Sequence, residues 1–231
     1  MMLNKKKPCV CITGLNIRGL MNKQDASLFD FNICNNENKD NDFIPEGYLR
    51  VTDCLKPFSK FDMIDPVVLA NAAERGTRVH KFCEMYVNNM LFEEVDEDCI
   101  NYVNAFKLWF DANVVKLLYS EKRVNSKSRM LSGAFDLLVI LKSSPCPVLI
   151  DIKTPQKESL SWALQMAAYR LLVKEELDLP GVDRMALILP KTSKKVKEIK
   201  YENHSKDTEL YINALDLYRY FNPVKHTNDL F

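Results

Sequence analysis

Two apolar runs separated by a short break constrain this chain more than any other feature. The first reads "SGAFDLLVIL" over 132–141 and the second "PVLIDIK" over 147–153, with the connection "KSSPCP" running into the second. Runs of this length, rich in Val, Ile and Leu and bounded by Ser and Pro, read as strands joined in a hairpin. If the turn centres on Ser143–Ser144, Asp136 and Asp151 fall directly opposite one another, because their midpoint is 143.5. Asp151 and Lys153 are two residues apart on one strand and share a face, while Ile150 and Ile152 take the other. Two carboxylates opposite one another destabilise a hairpin by a few tenths to about 1 kcal/mol. A divalent cation between them reverses that sign, and Mg²⁺ favours such hard oxygen donors. An ammonium beside the cation is placed to orient a water or neutralise a developing oxyanion. A lone D-x-K is more often a strand end that faces water, with the lysine paired to an aspartate, so the rest of the chain decides its meaning.

The periodicity around this hairpin predicts a short helix beginning near Thr52 and helices over 65–90, 96–114, 159–177 and 207–221. It predicts strands over 116–124, 130–141, 147–153, 184–190 and 195–201. The resulting order, α–α–β–β–β–α–β–β–α, implies an α/β (α+β) domain: a mixed central sheet flanked by helices. Residues 1–46 read as a partly flexible N-terminal extension, since "NICNNENKDND" is poor in groups to bury, and the folded domain is expected over 47–231. At 231 residues and 47% hydrophobic composition the chain can build a sizeable core. A net charge of +1 neither marks nor excludes a nucleic-acid binder, because a local patch can act alone. Seven scattered cysteines form no CxxC pair, which fits reduced thiols and a cytoplasmic setting. No apolar run approaches the roughly 20 residues of a membrane span.

Two helices add candidates. "ERGTRVHKFCEMY" sets His80 and Glu84 at i and i+4 on one face, with Arg75 and Arg78 beside them. "SWALQMAAYRLL" does the same for Gln165 and Tyr169. Taken singly, each reads as ordinary helix surface or core. His80 and Cys83 do not make a zinc site, for no second cysteine pair or nearby histidine completes one.

In this order, "RGTRVH" with Glu84 following, "GAFD", "DIKT" and "QMAAY" resemble the RecB-type branch of the PD-(D/E)xK nuclease superfamily. The resemblance covers roughly 48–190. Phe135 stands where the superfamily label has proline, but Gly133-Ala-Phe-Asp136 satisfies the G-x-x-D of the RecB-type branch. The resemblance implies a restriction-endonuclease-like core and Mg²⁺- or Mn²⁺-dependent hydrolysis of phosphodiesters. It implies Asp136, Asp151, His80 and the Ile152 carbonyl as metal ligands. Lys153 is expected to position the attacking water and stabilise the pentacovalent phosphate, and Gln165 and Tyr169 to hold Lys153 or a substrate phosphate. Glu84 and Glu121 are secondary candidates.

Similarity to mitochondrial genome maintenance exonucleases and phage recombination exonucleases favours work on DNA ends or single strands in repair, recombination or replication. The same core also serves endonucleases. The expected partner is DNA, with a helicase or recombination protein as a further one. No cysteine follows Cys146 to complete an iron–sulfur cluster, and no P-loop is present. Arg75, Arg78, Lys191, Lys194 and Lys195 are candidate phosphate contacts. The lysines of "PKTSKKVKEIKY" equally suit the protection of an edge strand. The competing functional reading is a catalytically silent nuclease-like module that binds DNA or serves as a complex subunit.

Overall fold

The structure, a computed structural model, describes residues 43–58, 64–91, 94–193 and 195–223, all within the unit Asn38–Phe231. The extension expected over 1–46 therefore lies outside the described residues except for its last four. The elements are β1 (Leu49–Arg50), a 3-10 helix (Asp53–Phe58), α1 (Pro66–Val87), α2 (Ile100–Asn113), β2 (Val114–Ser126), β3 (Leu131–Leu141), β4 (Pro147–Lys153), α3 (Leu160–Leu177), β5 (Asp183–Ile188), β6 (Lys197–Lys200) and α4 (His204–Phe221). The predicted order of helices and strands is observed, with the two-residue β1 added.

Local chemistry sets the helix starts. Asp65 caps α1, accepting from the N–H groups of Val67 at 2.8 Å and Val68 at 3.2 Å, with Pro66 in the first turn. Ser159 caps α3 through Ser161 N–H. Asp178 ends α3 in the left-handed conformation, φ +54°.

The six strands form one mixed sheet. β2 runs antiparallel along one side of β3 over its whole length. The other side of β3 is shared: β1 pairs in parallel with Leu131 and Ser132, and β4 pairs antiparallel with Leu137 to Ile140. β5 adds in parallel to β4, and β6 closes that edge antiparallel to β5. Helices cover both faces. Leu137, Val139, Ile150, Ile152 and Leu187 pack with Val79, Cys83, Val103 and Phe106 of α1 and α2. Phe135, Leu138 and Leu149 pack on the other face with Met166, Leu172, Tyr211 and Leu215 of α3 and α4. Each fully buried Leu, Ile, Val or Phe here contributes roughly 1.5–3 kcal/mol, so the alternation of β3 and β4 fixes which residues are left for the site.

Polar ties join the layers. Trp109 Nε1 of α2 donates to Glu198 of β6 at 2.7 Å. The buried Arg184 guanidinium donates to Asp207 of α4 at 2.7 Å, to the Ala163 carbonyl of α3 at 2.9 Å and to His204 Nδ1 at 3.1 Å. A buried charge needs such full satisfaction. Among the described residues no helix is long and apolar enough to cross a membrane.

Gly133 marks a close approach of α3 to the sheet. A Cβ there would lie 2.7 Å from Tyr169 Cε1 and 3.0 Å from both Tyr169 Cδ1 and Val51 Cγ2. The Tyr169 ring is buried and its hydroxyl is held, so it cannot swing away freely. Gly133→Ala is expected to cost about 1–3 kcal/mol, the usual range for overpacking, and to lower the melting temperature by several degrees. A thermal melt by circular dichroism checks this; an unchanged midpoint refutes it.

Candidate active site

Strand register assembles the site. Ser120 pairs with Leu137 and Lys122 with Phe135, which brackets Glu121 against Asp136. Leu137 pairs with Ile150, and the next position along the hairpin brings Asp136 opposite Asp151, as the turn at Ser143–Ser144 predicts. Glu121, Asp136 and Asp151 thus form a row across β2, β3 and β4. At this row the alternation of β3 slips. Phe135 lies in the core under α3 and α4, whereas Leu137, two residues on, lies in the core under α1 and α2. The slip lets Asp136 meet α1. Opposite it, Glu121 adopts φ +45°, a left-handed conformation that costs a non-glycine residue of order 1 kcal/mol or more and recurs at functional sites.

His80 comes down from α1 onto this row. Its Nδ1 lies 3.2 Å from Asp136 Oδ1 and 4.0 Å from Glu121 Oε1. One ligand atom from each of His80, Glu121 and Asp136 falls within 4.8 Å of the others. The second Asp136 oxygen, Oδ2, accepts the Ile152 N–H at 2.5 Å. Burial works against a charged His80, but Asp136, then Glu121 and Asp151, outweigh it and push the imidazole up to about 9. Burial and then Asp136 push the Glu121 carboxyl up to about 8, against the pull of His80. Burial also resists charge on Asp136, yet His80, the Ile152 N–H and Lys153 hold it below the usual carboxylate range. Asp151 is raised by burial, with Asp136 adding to the effect and Lys153 opposing it.

The other half of the site faces α3. Lys153 Nζ lies 2.5 Å from Asp151 Oδ2, donates to Gln165 Oε1 at 3.1 Å and sits 5.3 Å over the Trp162 ring. Asp151 Oδ2 is buried and lacks a hydrogen-bond partner of good geometry, so its contact with Lys153 is ionic. Gln165 Nε2 donates to Tyr169 Oη at 2.9 Å and to Asp151 Oδ1 at 3.4 Å. The i, i+4 spacing of Gln165 and Tyr169 turns both to the sheet. Burial raises the Tyr169 phenol, so it stays protonated.

The remaining candidates take different places. Glu84 binds Lys81 at 2.8 Å and reaches the row through its charge on Glu121. Arg78 is held by Asp96 at 2.6 Å and Asp98 at 2.9 Å, which occupies its guanidinium. Arg75 lies over the Tyr102 ring, 5.9 Å from its centroid. Lys191 and Lys195 are exposed in the turn after β5. That turn is tied to the site end of the sheet: Leu189 N–H donates to the Lys153 carbonyl at 2.8 Å, and Gln156 Nε2 to the Leu189 carbonyl at 3.0 Å. Lys194 lies outside the described residues.

A family model described as the PD-(D/E)XK nuclease superfamily matches residues 102–221, more than half of the chain. The chain belongs to the PD-(D/E)XK nuclease superfamily. Membership implies nuclease chemistry supported by a divalent metal ion, with DNA as the class of substrate. The match contains Glu121, Asp136, Asp151, Lys153, Gln165 and Tyr169, while His80 and the rest of α1 lie before it. Asp151-Ile152-Lys153 supplies the D-x-K of the superfamily label. A solved structure titled "Crystal structure of SSO0001" is similar over 77% of this chain and 79% of its own, with 12% identity and a TM-score of 0.36. No curated protein matches the chain.

Glu121 is the residue whose weight changes most, from a secondary candidate to a member of the closed cluster. The midpoint arithmetic that finds Asp151 also finds it, since positions 121 and 136 are symmetric about the β2–β3 turn. Trp162 beneath Lys153 carries no motif of its own. For the metal-free protein, His80 is expected to titrate near 9 and to fall toward the ordinary value of about 6.5 in Asp136→Asn. Because the folded value is raised, His80 adds stability that is full below about 6.5 and is lost as pH rises through about 9. Imidazole NMR shifts against pH measure both; equal midpoints in the two proteins refute the assignment.

Proposed function

We propose that this chain is a metal-dependent DNA exonuclease of the RecB type, using Mg²⁺ or Mn²⁺ to hydrolyse phosphodiesters at DNA ends or in single strands. The observation that carries the reading is the closure of His80, Glu121 and Asp136 within 4.8 Å, beside Asp151 and Lys153. These donors suit such an ion. Two carboxylates and an imidazole are hard or borderline ligands. Without a cation, protons offset their repulsion, as the raised Glu121 and His80 values record. His80, Glu121 and Asp136 would hold the ion, with Asp151 and the Ile152 carbonyl as the further ligands. When bound, the ion supplies an activated water and a clamp on the scissile phosphate.

The chain's own groups do the rest. The Ile152 N–H fixes one Asp136 oxygen, so the other is presented toward His80. Gln165 accepts from Lys153 and is itself oriented by Tyr169, which holds the ammonium at the rim. From there Lys153 neutralises charge developing on the phosphate oxygens. Lys191 and Lys195, on the turn bonded to the Lys153 backbone, would follow the DNA phosphates. The structure occupies Arg78 with two aspartates, so it stands behind these lysines as a phosphate contact. End-directed action rests on the RecB-type motif set, and so does a helicase or recombination partner.

Linear and covalently closed single-stranded DNA, end-labelled where possible, tests the reading with Mg²⁺, Mn²⁺ or EDTA. Linear DNA is expected to be degraded from its ends with metal and spared in EDTA, while circles survive. Lys153→Ala is expected to lose about two to three orders of magnitude in rate, the cost of removing one transition-state donor. Glu121→Gln is expected to lose activity comparably. Cut circles would make the enzyme an endonuclease. DNA binding without cleavage by the wild type would favour the silent module.

A further inference from the structure

Gly76 occupies the middle of the 22-residue α1, where glycine is the least favourable residue short of proline. Packing does not call for it. Among the described residues, a Cβ on Gly76 would meet one heavy atom, Thr154 Oγ1, at 3.5 Å, which is ordinary van der Waals contact. Gly133, where a methyl collides with a buried ring, shows what a packing glycine looks like in the same fold. Gly76 lies one turn before His80 and on the same helix face. Thr154 directly follows Lys153. Among the described residues the Thr154 hydroxyl makes no hydrogen bond; only its carbonyl does, accepting from Gln156 Nε2 at 2.9 Å. Thr154 is partly exposed, so the hydroxyl is accessible. A bare stretch of helix backbone and an uncommitted hydroxyl therefore lie side by side, where the helix that carries His80 meets the end of the strand that carries Lys153.

We propose that Gly76 and Thr154 form a substrate subsite that grips the sugar–phosphate backbone of DNA next to the scissile bond. The Thr154 hydroxyl donates to a non-bridging phosphate oxygen, and the missing side chain at Gly76 lets the sugar–phosphate chain lie against α1. Glycine serves this purpose wherever a backbone must approach a ligand closely. The inference rests on the nuclease reading and adds to it a pair of substrate-positioning residues.

The test pairs stability with binding. Gly76→Ala is expected to keep or raise the melting temperature, because alanine fits the space and favours the helix. It is also expected to weaken binding of a labelled single-stranded oligonucleotide, measured by fluorescence anisotropy with Mg²⁺ in the Lys153→Ala background, which consumes the probe far more slowly than the wild type. Thr154→Val is expected to weaken binding by roughly tenfold, the worth of one hydrogen bond to a charged group. Thr154→Ser, which restores the hydroxyl, is expected to recover most of it. In the cleaving enzyme the same changes raise KM more than they lower kcat. A lower melting temperature for Gly76→Ala overturns the proposal, since the glycine would then serve packing. Unchanged binding in Gly76→Ala and Thr154→Val overturns it as well, as does a Thr154→Ser variant no better than Thr154→Val. Wild-type protein that neither binds nor cuts DNA instead sinks the nuclease reading beneath it.

Discussion

The register of β3 between its two neighbours is the constraint on which the site depends. It lines up Glu121, Asp136 and Asp151, three carboxyl groups whose ionised forms repel, on adjacent strands. Each such like-charge contact costs a few tenths to about 1 kcal/mol. The residues beside them hold the register in place: Leu137, Ile150 and Ile152 are buried against α1 and α2, and a one-residue slip would move them out of that layer. At roughly 1.5–3 kcal/mol for each buried side chain, the apolar faces win. The repulsion is left to be met by His80, by the Ile152 N–H and by Lys153.

Two helices from opposite layers converge on that row. α1 delivers His80 to Asp136 and Glu121, and α3 delivers Gln165 to Lys153 and Asp151. A sheet residue normally addresses one layer only. The slip of β3 at Asp136 and the left-handed Glu121 opposite it let a single row serve both. A strand irregularity that re-aims a side chain is a common device near active sites.

Much of this was legible in the sequence, and the reason is local periodicity. Alternation along 147–153 separated Ile150 and Ile152 from Asp151 and Lys153, and Ser143–Ser144 set the hairpin centre that brings Asp136 to Asp151. The i, i+4 spacings grouped His80 with Glu84 and Gln165 with Tyr169, each pair on one helix face. What escaped depends on long-range packing. No local rule announces a glutamate at positive φ in mid-strand, so Glu121 stood only as a secondary candidate. The partners of Arg78 are 18 and 20 residues away in a loop. Gly133 is needed because of a ring on α3, 36 residues further on in the chain.

The distance along the chain between the groups of the cluster has a consequence for how the molecule comes into being. His80 and Asp136 are 56 residues apart, and Gln165 follows Lys153 by 12. Bringing them together requires long loops to close and non-local strands to pair, which are late and slow events in folding. A chain emerging from the ribosome has α1 early, but no complete cluster until β3 has paired with β2 and β4, and no anchored Lys153 until α3 has docked. Partly folded or truncated forms thus lack the assembled charges, and the onset of chemistry is timed by the completion of the sheet.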